Sequence, residues 1–213
     1  MTSTRLTPRQ VWDEMRLGNE RFVAGEPQHP RQDVERRHDL AAGQTPRAAL
    51  FGCADSRLAA EIIFDEGLGD LFVVRNAGQV ISDSVIGSLE YAVAVLDVKL
   101  IVVLRHDACG AVSAAIDSTG LDAPDLPAGI WKQIAPIVPA VRRVLRANEG
   151  PADPELVGRE HLRDTVAELL HSSELISEAI AEGRVAIVGA NYRLDEGQVE
   201  PDVIVGDAGD SHP

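Results

Sequence analysis

The chain has 213 residues, enough for one domain with a sizeable core, and its 45% hydrophobic share excludes wholesale disorder. A formal net charge of −14, from 20 Lys and Arg against 34 Asp and Glu, reads as a solvated acidic surface and argues against a nucleic-acid partner, which needs a basic face. No apolar run approaches the ~20 residues that span a bilayer, and "MTSTRLTPRQ" lacks the apolar core of a secretory signal, so no membrane partner and a cytoplasmic location are expected.

In chain order, Thr7-Pro8-Arg9-Gln10 marks a helix start: Thr7 caps, Pro8 suits the first helical position, and Gln10 completes a capping box. Val11, Trp12, Met15 and Phe22 give this helix an apolar side. Residues 25–46 are polar, with Pro27, Pro30 and Pro46, and predict an extended arm holding a short helix over 34–42. Four short apolar runs follow: "AALFG" (48–52), "LFVV" (71–74), "LIVVL" (100–104) and "VAIVG" (185–189). They are β-rich and continuous, as strands buried on both faces are. Helical patterns separate them. "SVIGSLEYAVAVL" (84–96) follows a capping Asp83. The stretch 161–183 repeats Leu162, Val166, Leu169, Leu170, Ile176 and Ile180 before Gly183 and predicts one helix. Residues 117–130 and 148–155 carry the Gly and Pro of loops. The alternation predicts a single α/β unit with a largely parallel central β-sheet flanked by helices. Within it, residues 1–46 form an N-terminal helical arm expected to pack on a partner subunit, and 47–213 form the α/β domain.

Cys53 and Cys109 are the only two cysteines, too few for a disulfide framework, and each follows one of those strands. "FGCADSR" delivers Cys53, Asp55 and Arg57; "RHDACGAV" delivers His106 and Cys109. Sites in open α/β sheets gather beyond the carboxyl ends of strands, so these five side chains converge if the two strands are neighbours. Two Cys and one His suit Zn²⁺, and three protein ligands leave a fourth tetrahedral position free, which marks a catalytic zinc. Cys109 precedes a helical "AVSAAI", and a helix N-terminus eases the ionisation of a thiol. Asp55 has two partners within reach, the metal and the fork of Arg57, which can hold a carboxylate through two bonds. The residues leave three readings open: an open catalytic zinc, a structural zinc closed by Asp55, and a Cys53–Cys109 redox pair that gives His106 and Asp55 no role. His29, His38, His161, His171 and His212 read as solvated or capping. Phe72 and Tyr91 read as core residues and Gln44 as a loop residue.

The segments "GNERF" (18–22), "GQTP" (43–46), "CADSR" (53–57), "LFVVRNAG" (71–78), "SLEYAV" (88–93) and "HDACGAV" (106–112) resemble, in order, the β-class carbonic anhydrases. The resemblance runs from about residue 10 to about residue 205. It implies that family's α/β fold and the reversible hydration of CO₂ to bicarbonate and a proton by zinc-bound hydroxide. One Zn²⁺ per subunit is then held by Cys53, His106 and Cys109. Asp55 and Arg57 become the catalytic dyad, with Asp55 able to cap the metal as a fourth ligand in a pH-linked switch. Gln44, Phe72, Ala77, Tyr91 and Gly110 match substrate-binding positions. Some of these come from a neighbouring subunit in the family, so a homodimer or homotetramer is implied. Related proteins hydrolyse carbon disulfide or carbonyl sulfide on the same ligands, and that alternative stays open.

Two departures from the family pattern stand out. Glycine usually precedes the zinc histidine, and here Arg105 does; its side chain is expected to turn outward to the interface or solvent and pair with an acid. Some members bind bicarbonate at a non-catalytic pocket of Trp, Arg and Tyr. Arg75 and Tyr192 match two of these, but Leu50 replaces the tryptophan, which argues against such a pocket here.

Overall fold

The computed structural model describes residues 6–209, so His212 lies outside the described residues. Strands β1 (Ala48–Cys53), β2 (Leu71–Asn76), β3 (Leu100–His106), β4 (Ala186–Tyr192) and β5 (Val199–Val205) form one sheet in the order β2-β1-β3-β4-β5. The first four run parallel and β5 pairs antiparallel with β4. Every residue of β1, β3 and β4 is buried, because helices cover both faces of the central strands. The edge strands β2 and β5 are only partly buried.

Alternation along the strands sorts two cores. Ala48, Leu50, Leu100, Val102 and Leu104 face α1 (Pro8–Val23), α3 (Ala60–Ile63), α5 (Gly110–Asp117), α6 (Ala128–Ile134) and α7 (Val138–Ala147). Ala49, Phe51, Ile101 and Val103 face α4 (Asp83–Ala94), α8 (Pro154–Ser172) and α9 (Glu174–Ala181). The capping box forms as the sequence predicts, Thr7 and Gln10 each bonding the other's backbone amide. The apolar side of α1 is used within its own chain, with Val11, Trp12 and Met15 buried in the first core. Asn19 adds to this anchoring, donating to the carbonyls of Ile63 at 3.0 Å and Gly197 at 2.8 Å. The short α2 (Val34–Asp39) buries none of its residues.

Three features depart from the sequence reading. The run 161–183 divides: Ser173 is extended, and its hydroxyl accepts from the Ile176 amide to start α9. The apolar pattern gives no sign of this, since Leu169 and Ile176 keep the i, i+7 spacing of a continuous helix. Strand β5 was not expected, since Pro201 interrupts its run; proline is tolerated there because β5 is an edge strand with a register shift opposite Gly189 and Ala190. The third is a buried ionic network beneath the arm, where Asp65 pairs with Arg21, and Glu66 and Asp70 both pair with Arg31. Arg47 bridges Glu14 and Glu66 in the same network.

Candidate metal centre

The carboxyl ends of β1 and β3 lie side by side, with Gly52 in register with Leu104. Chain order reverses at this pair, β2 lying on one side of β1 and β3 on the other, and such a switch point opens a crevice beyond the strand ends. Cys53 ends β1, His106 ends β3, and Cys109 caps α5. Between the last two, Ala108 adopts φ 48°, a left-handed turn that folds the chain back on itself. Cys53 Sγ, a ring nitrogen of His106 and Cys109 Sγ all lie within 4.8 Å of one another, and all three residues are buried. Among the described residues no other group of three or more His, Cys, Asp or Glu side chains comes together in this way.

The donor set fits zinc. His106 Nδ1 lies 2.8 Å from the Asp107 carbonyl, which can only accept, so Nδ1 carries the proton and Nε2 presents a lone pair. That Nε2 is buried with no hydrogen-bond partner, a costly state for a polar atom unless a cation takes the lone pair. The two thiols share their protons. A hydrogen bond from Cys109 holds Cys53 down to about 4 against its burial, helped by the Gly78 and Asp55 amides. The same hydrogen bond to Cys53, then burial, pushes Cys109 up. The amides of Ala111 and Val112 at the start of α5 pull the other way, as the helix position predicts, but the neighbouring thiolate outweighs them.

Asp55 is paired with Arg57. Asp55 Oδ1 accepts from Arg57 N at 2.9 Å and Nε at 2.9 Å, and Oδ2 accepts from Nη2 at 2.7 Å. Oδ2 also stands 3.9 Å from His106 Nε2, at the rim of the donor set. The Arg57 guanidinium holds the Asp55 carboxyl well below the usual carboxylate range, so it stays ionised. Three residues that the ligand pattern did not single out support the site. Arg75 donates to the carbonyls of Cys53 at 2.9 Å and Asp55 at 2.6 Å. The Gly78 amide donates to Cys53 Sγ at 3.4 Å. Asp107 Oδ1 accepts from the Leu194 amide at 2.9 Å, tying the metal loop to the β4–β5 turn.

Arg105 does not turn outward. Strand alternation sends it to the sheet face opposite Leu104, where it is 3% exposed beneath α8. Its Nη2 bonds Glu155 Oε2 at 2.6 Å, so the expected acid partner is present, but inside the fold. Gly158 makes the room, because a Cβ there would lie 3.1 Å from Arg105 Cζ. His161 is also buried, contrary to the solvated role read from sequence, whereas His29, His38 and His171 are exposed.

The profile of the family described as Carbonic anhydrase matches residues 48–199. Carbonic anhydrase 2 of Mycobacterium tuberculosis is 52% identical over 192 residues, covering 90% of this chain and 91% of the relative. The chain belongs to the β-carbonic anhydrase family. A carbonic anhydrase of Mycolicibacterium smegmatis is 47% identical over 204 residues, covering 95% of this chain and 97% of that one. A tetrameric β-carbonic anhydrase of Sordaria macrospora superposes with a TM-score of 0.71 at 25% identity, covering 89% of this chain and 96% of that one.

The residues matched to substrate positions divide between the donor set and places away from it. Ala77 precedes the amide that touches Cys53, and Gly110 opens α5 directly after Cys109. Phe72 and Tyr91 pair with ring centroids 6.1 Å apart, but Phe72 packs on the core of α4 and α8, whereas Cys53 and Cys109 belong to the core on the other face. Tyr91 is 46% exposed beside the unpaired edge of β2. Gln44 is exposed in the arm. Leu50 and Tyr192 are buried in the first core, and Arg75 is committed to the Cys53 and Asp55 carbonyls.

Proposed function

We propose that this chain hydrates CO₂ reversibly to bicarbonate and a proton, with one zinc ion per subunit held by Cys53, His106 and Cys109. The observation that carries it is the buried, unpartnered Nε2 of His106 beside two thiols, with an ionised Asp55 fixed at the rim by Arg57. A zinc ion there supplies a Lewis acid that lowers the pKa of a coordinated water to about 7. In the net reaction one C–O bond forms between water and CO₂, and one proton leaves for solvent. The protein's part is to hold and orient. Asp55 Oδ2 offers an acceptor toward the donor set, and Arg57 fixes its direction through two side-chain bonds and one backbone bond. Released from Arg57, Asp55 would be the residue placed to serve as a fourth ligand, which is the second state of the dyad in this reading.

The lining for CO₂ comes from two chains in this reading: Ala77 and Gly110 from one, and from its neighbour Phe72 and Tyr91 as apolar walls with Gln44 as a hydrogen-bonding group. The exposed Tyr91 and the open β2 edge support a homodimer or homotetramer. A site with two reduced thiols suits a cytoplasmic location. Stopped-flow CO₂ hydration on zinc-loaded protein, scanned from about pH 6.5 to about 9 around the zinc-water pKa, tests the proposal. Turnover rising with pH is expected; stoichiometric zinc without turnover at any pH would refute it.

A further inference from the structure

Two consecutive carbonyls after β2 are each held by a side chain from a helix. Ala77 O accepts from Gln133 Nε2 of α6 at 2.8 Å. Gly78 O lies 2.7 Å from His161 Nε2 of α8, and the hydroxyl of Thr165, one turn on, donates to the His161 carbonyl at 2.8 Å. A carbonyl only accepts, so His161 Nε2 carries the proton and Nδ1 is bare. Nδ1 is buried without a partner. Burial also keeps the ring neutral, pushing its pKa down. A histidine with one nitrogen stranded in the core and the other on a backbone carbonyl is costly as packing alone.

Its target is the carbonyl of the residue whose amide reaches the metal centre. Gly78 stands at φ 80°, and a Cβ there would come within 2.8 Å of Ala111 Cβ, just past Cys109. Gly78 is thus clamped between His161 and the start of α5, and its amide points to Cys53 Sγ at 3.4 Å. The turn itself does not need His161: the Asn76 side chain closes it by bonding the Val80 amide at 2.9 Å and the Val80 carbonyl at 2.7 Å. What His161 adds is a hold on the carbonyl side of Gly78, while Gln133 holds the peptide that carries the Gly78 N–H, so the residue is fixed from both sides.

We propose that His161 is a positioning residue for the metal thiolate, holding Gly78 so that its N–H donates to Cys53 Sγ. This rests on reading Cys53, His106 and Cys109 as a metal site. An N–H···S bond draws charge from the sulfur, leaving a weaker donor and a more acidic metal, and outer partners of this kind tune both affinity and reactivity.

The test uses H161Q, whose amide nitrogen can take the place of Nε2, against H161L, which has no donor, all loaded with Co²⁺ as a spectroscopic substitute for zinc. In H161L the thiolate-to-cobalt charge-transfer band should move to lower energy, zinc affinity by chelator competition should change about tenfold, and the pH midpoint of kcat/KM should rise. H161Q should restore the native band and affinity. If H161L does not fold, H161N, too short to reach the Gly78 carbonyl, takes its place and should show the shifted band. A folded H161L or H161N with the native band and zinc affinity would overturn the positioning role, as would H161Q shifted as far as they are. Native protein that takes up neither Co²⁺ nor zinc would overturn the metal reading as well.

Discussion

Substituting Gly158 by alanine tests the packing of Arg105 directly. Within a helix this change ordinarily stabilises by about 1 kcal/mol. Here the new methyl would stand 3.1 Å from Arg105 Cζ and 3.2 Å from Nε and Nη2. The guanidinium has little room to retreat, since Nη2 is held by Glu155 at 2.6 Å and the residue is 3% exposed. Overpacking of this kind costs about 1–3 kcal/mol. G158A is therefore expected to range from neutral to about 2 kcal/mol destabilising in the native background. With R105G the obstruction is gone, and G158A should stabilise by about 1 kcal/mol, a coupling of about 1–3 kcal/mol between the two sites. Urea unfolding of the four proteins at one protein concentration measures this cycle, the fixed concentration being needed because assembly adds to apparent stability. R105G should leave zinc affinity unchanged, since the guanidinium lies on the sheet face opposite the first core that holds Cys53 and Cys109. A stabilising G158A in both backgrounds would refute the packing. A large rise in zinc occupancy or activity in R105G would show instead that Arg105 distorts the metal loop.

R57A releases Asp55 and should lower kcat/KM for CO₂ hydration by about 100-fold or more while zinc stays bound; near-native rates would deny the dyad its role. D65N removes a buried carboxylate that accepts from Arg21 Nε at 2.7 Å and from the Gln28 and His29 amides. Burial pushes the Asp65 pKa up, but those amides and Arg21 outweigh it and leave it lowered. A lowered folded pKa stabilises above the unfolded value of about 3.9 and loses that contribution as pH falls through the folded pKa. D65N should thus cost about 2–3 kcal/mol near neutral pH, with the gap closing in acid; a pH-independent gap in urea unfolding would contradict this. Stripping the metal with a chelator and adding a mild oxidant should give a Cys53–Cys109 disulfide by mass spectrometry, because the two sulfurs lie within 4.8 Å of each other. Zinc-loaded protein should resist the same oxidant, and equal oxidation of both forms would argue against thiolate ligation.

Much of the fold was legible because its signals are local. The four apolar runs became the four parallel strands, since central strands covered on both faces need apolar residues at every position. The arm helix began where Thr7, Pro8 and Gln10 marked it. Less visible were elements whose existence depends on neighbours. Strand β5 is stable only because β4 offers an edge, and α9 is separate only because Ser173 finds Ile176. The buried carboxylates Asp65, Glu66 and Asp70 looked like surface acids, because the arginines that pair with them lie 19 or more residues away.

By itself, the sequence determined which atoms are available for chemistry: two thiols, one imidazole and a carboxylate beside an arginine, each at the end of an apolar run. Their types and spacings are covalent facts that no packing alters. Only the tertiary structure decided where the spare valences go. It turned Asp55 toward Arg57, left His106 Nε2 bare, sent Arg105 under α8 onto Glu155, and buried His161 against the Gly78 carbonyl. Each of those choices joins residues distant in sequence, or selects among rotamers that the local chain leaves equally open. They are settled by which partner comes within hydrogen-bond distance once two strand ends and a helix have converged.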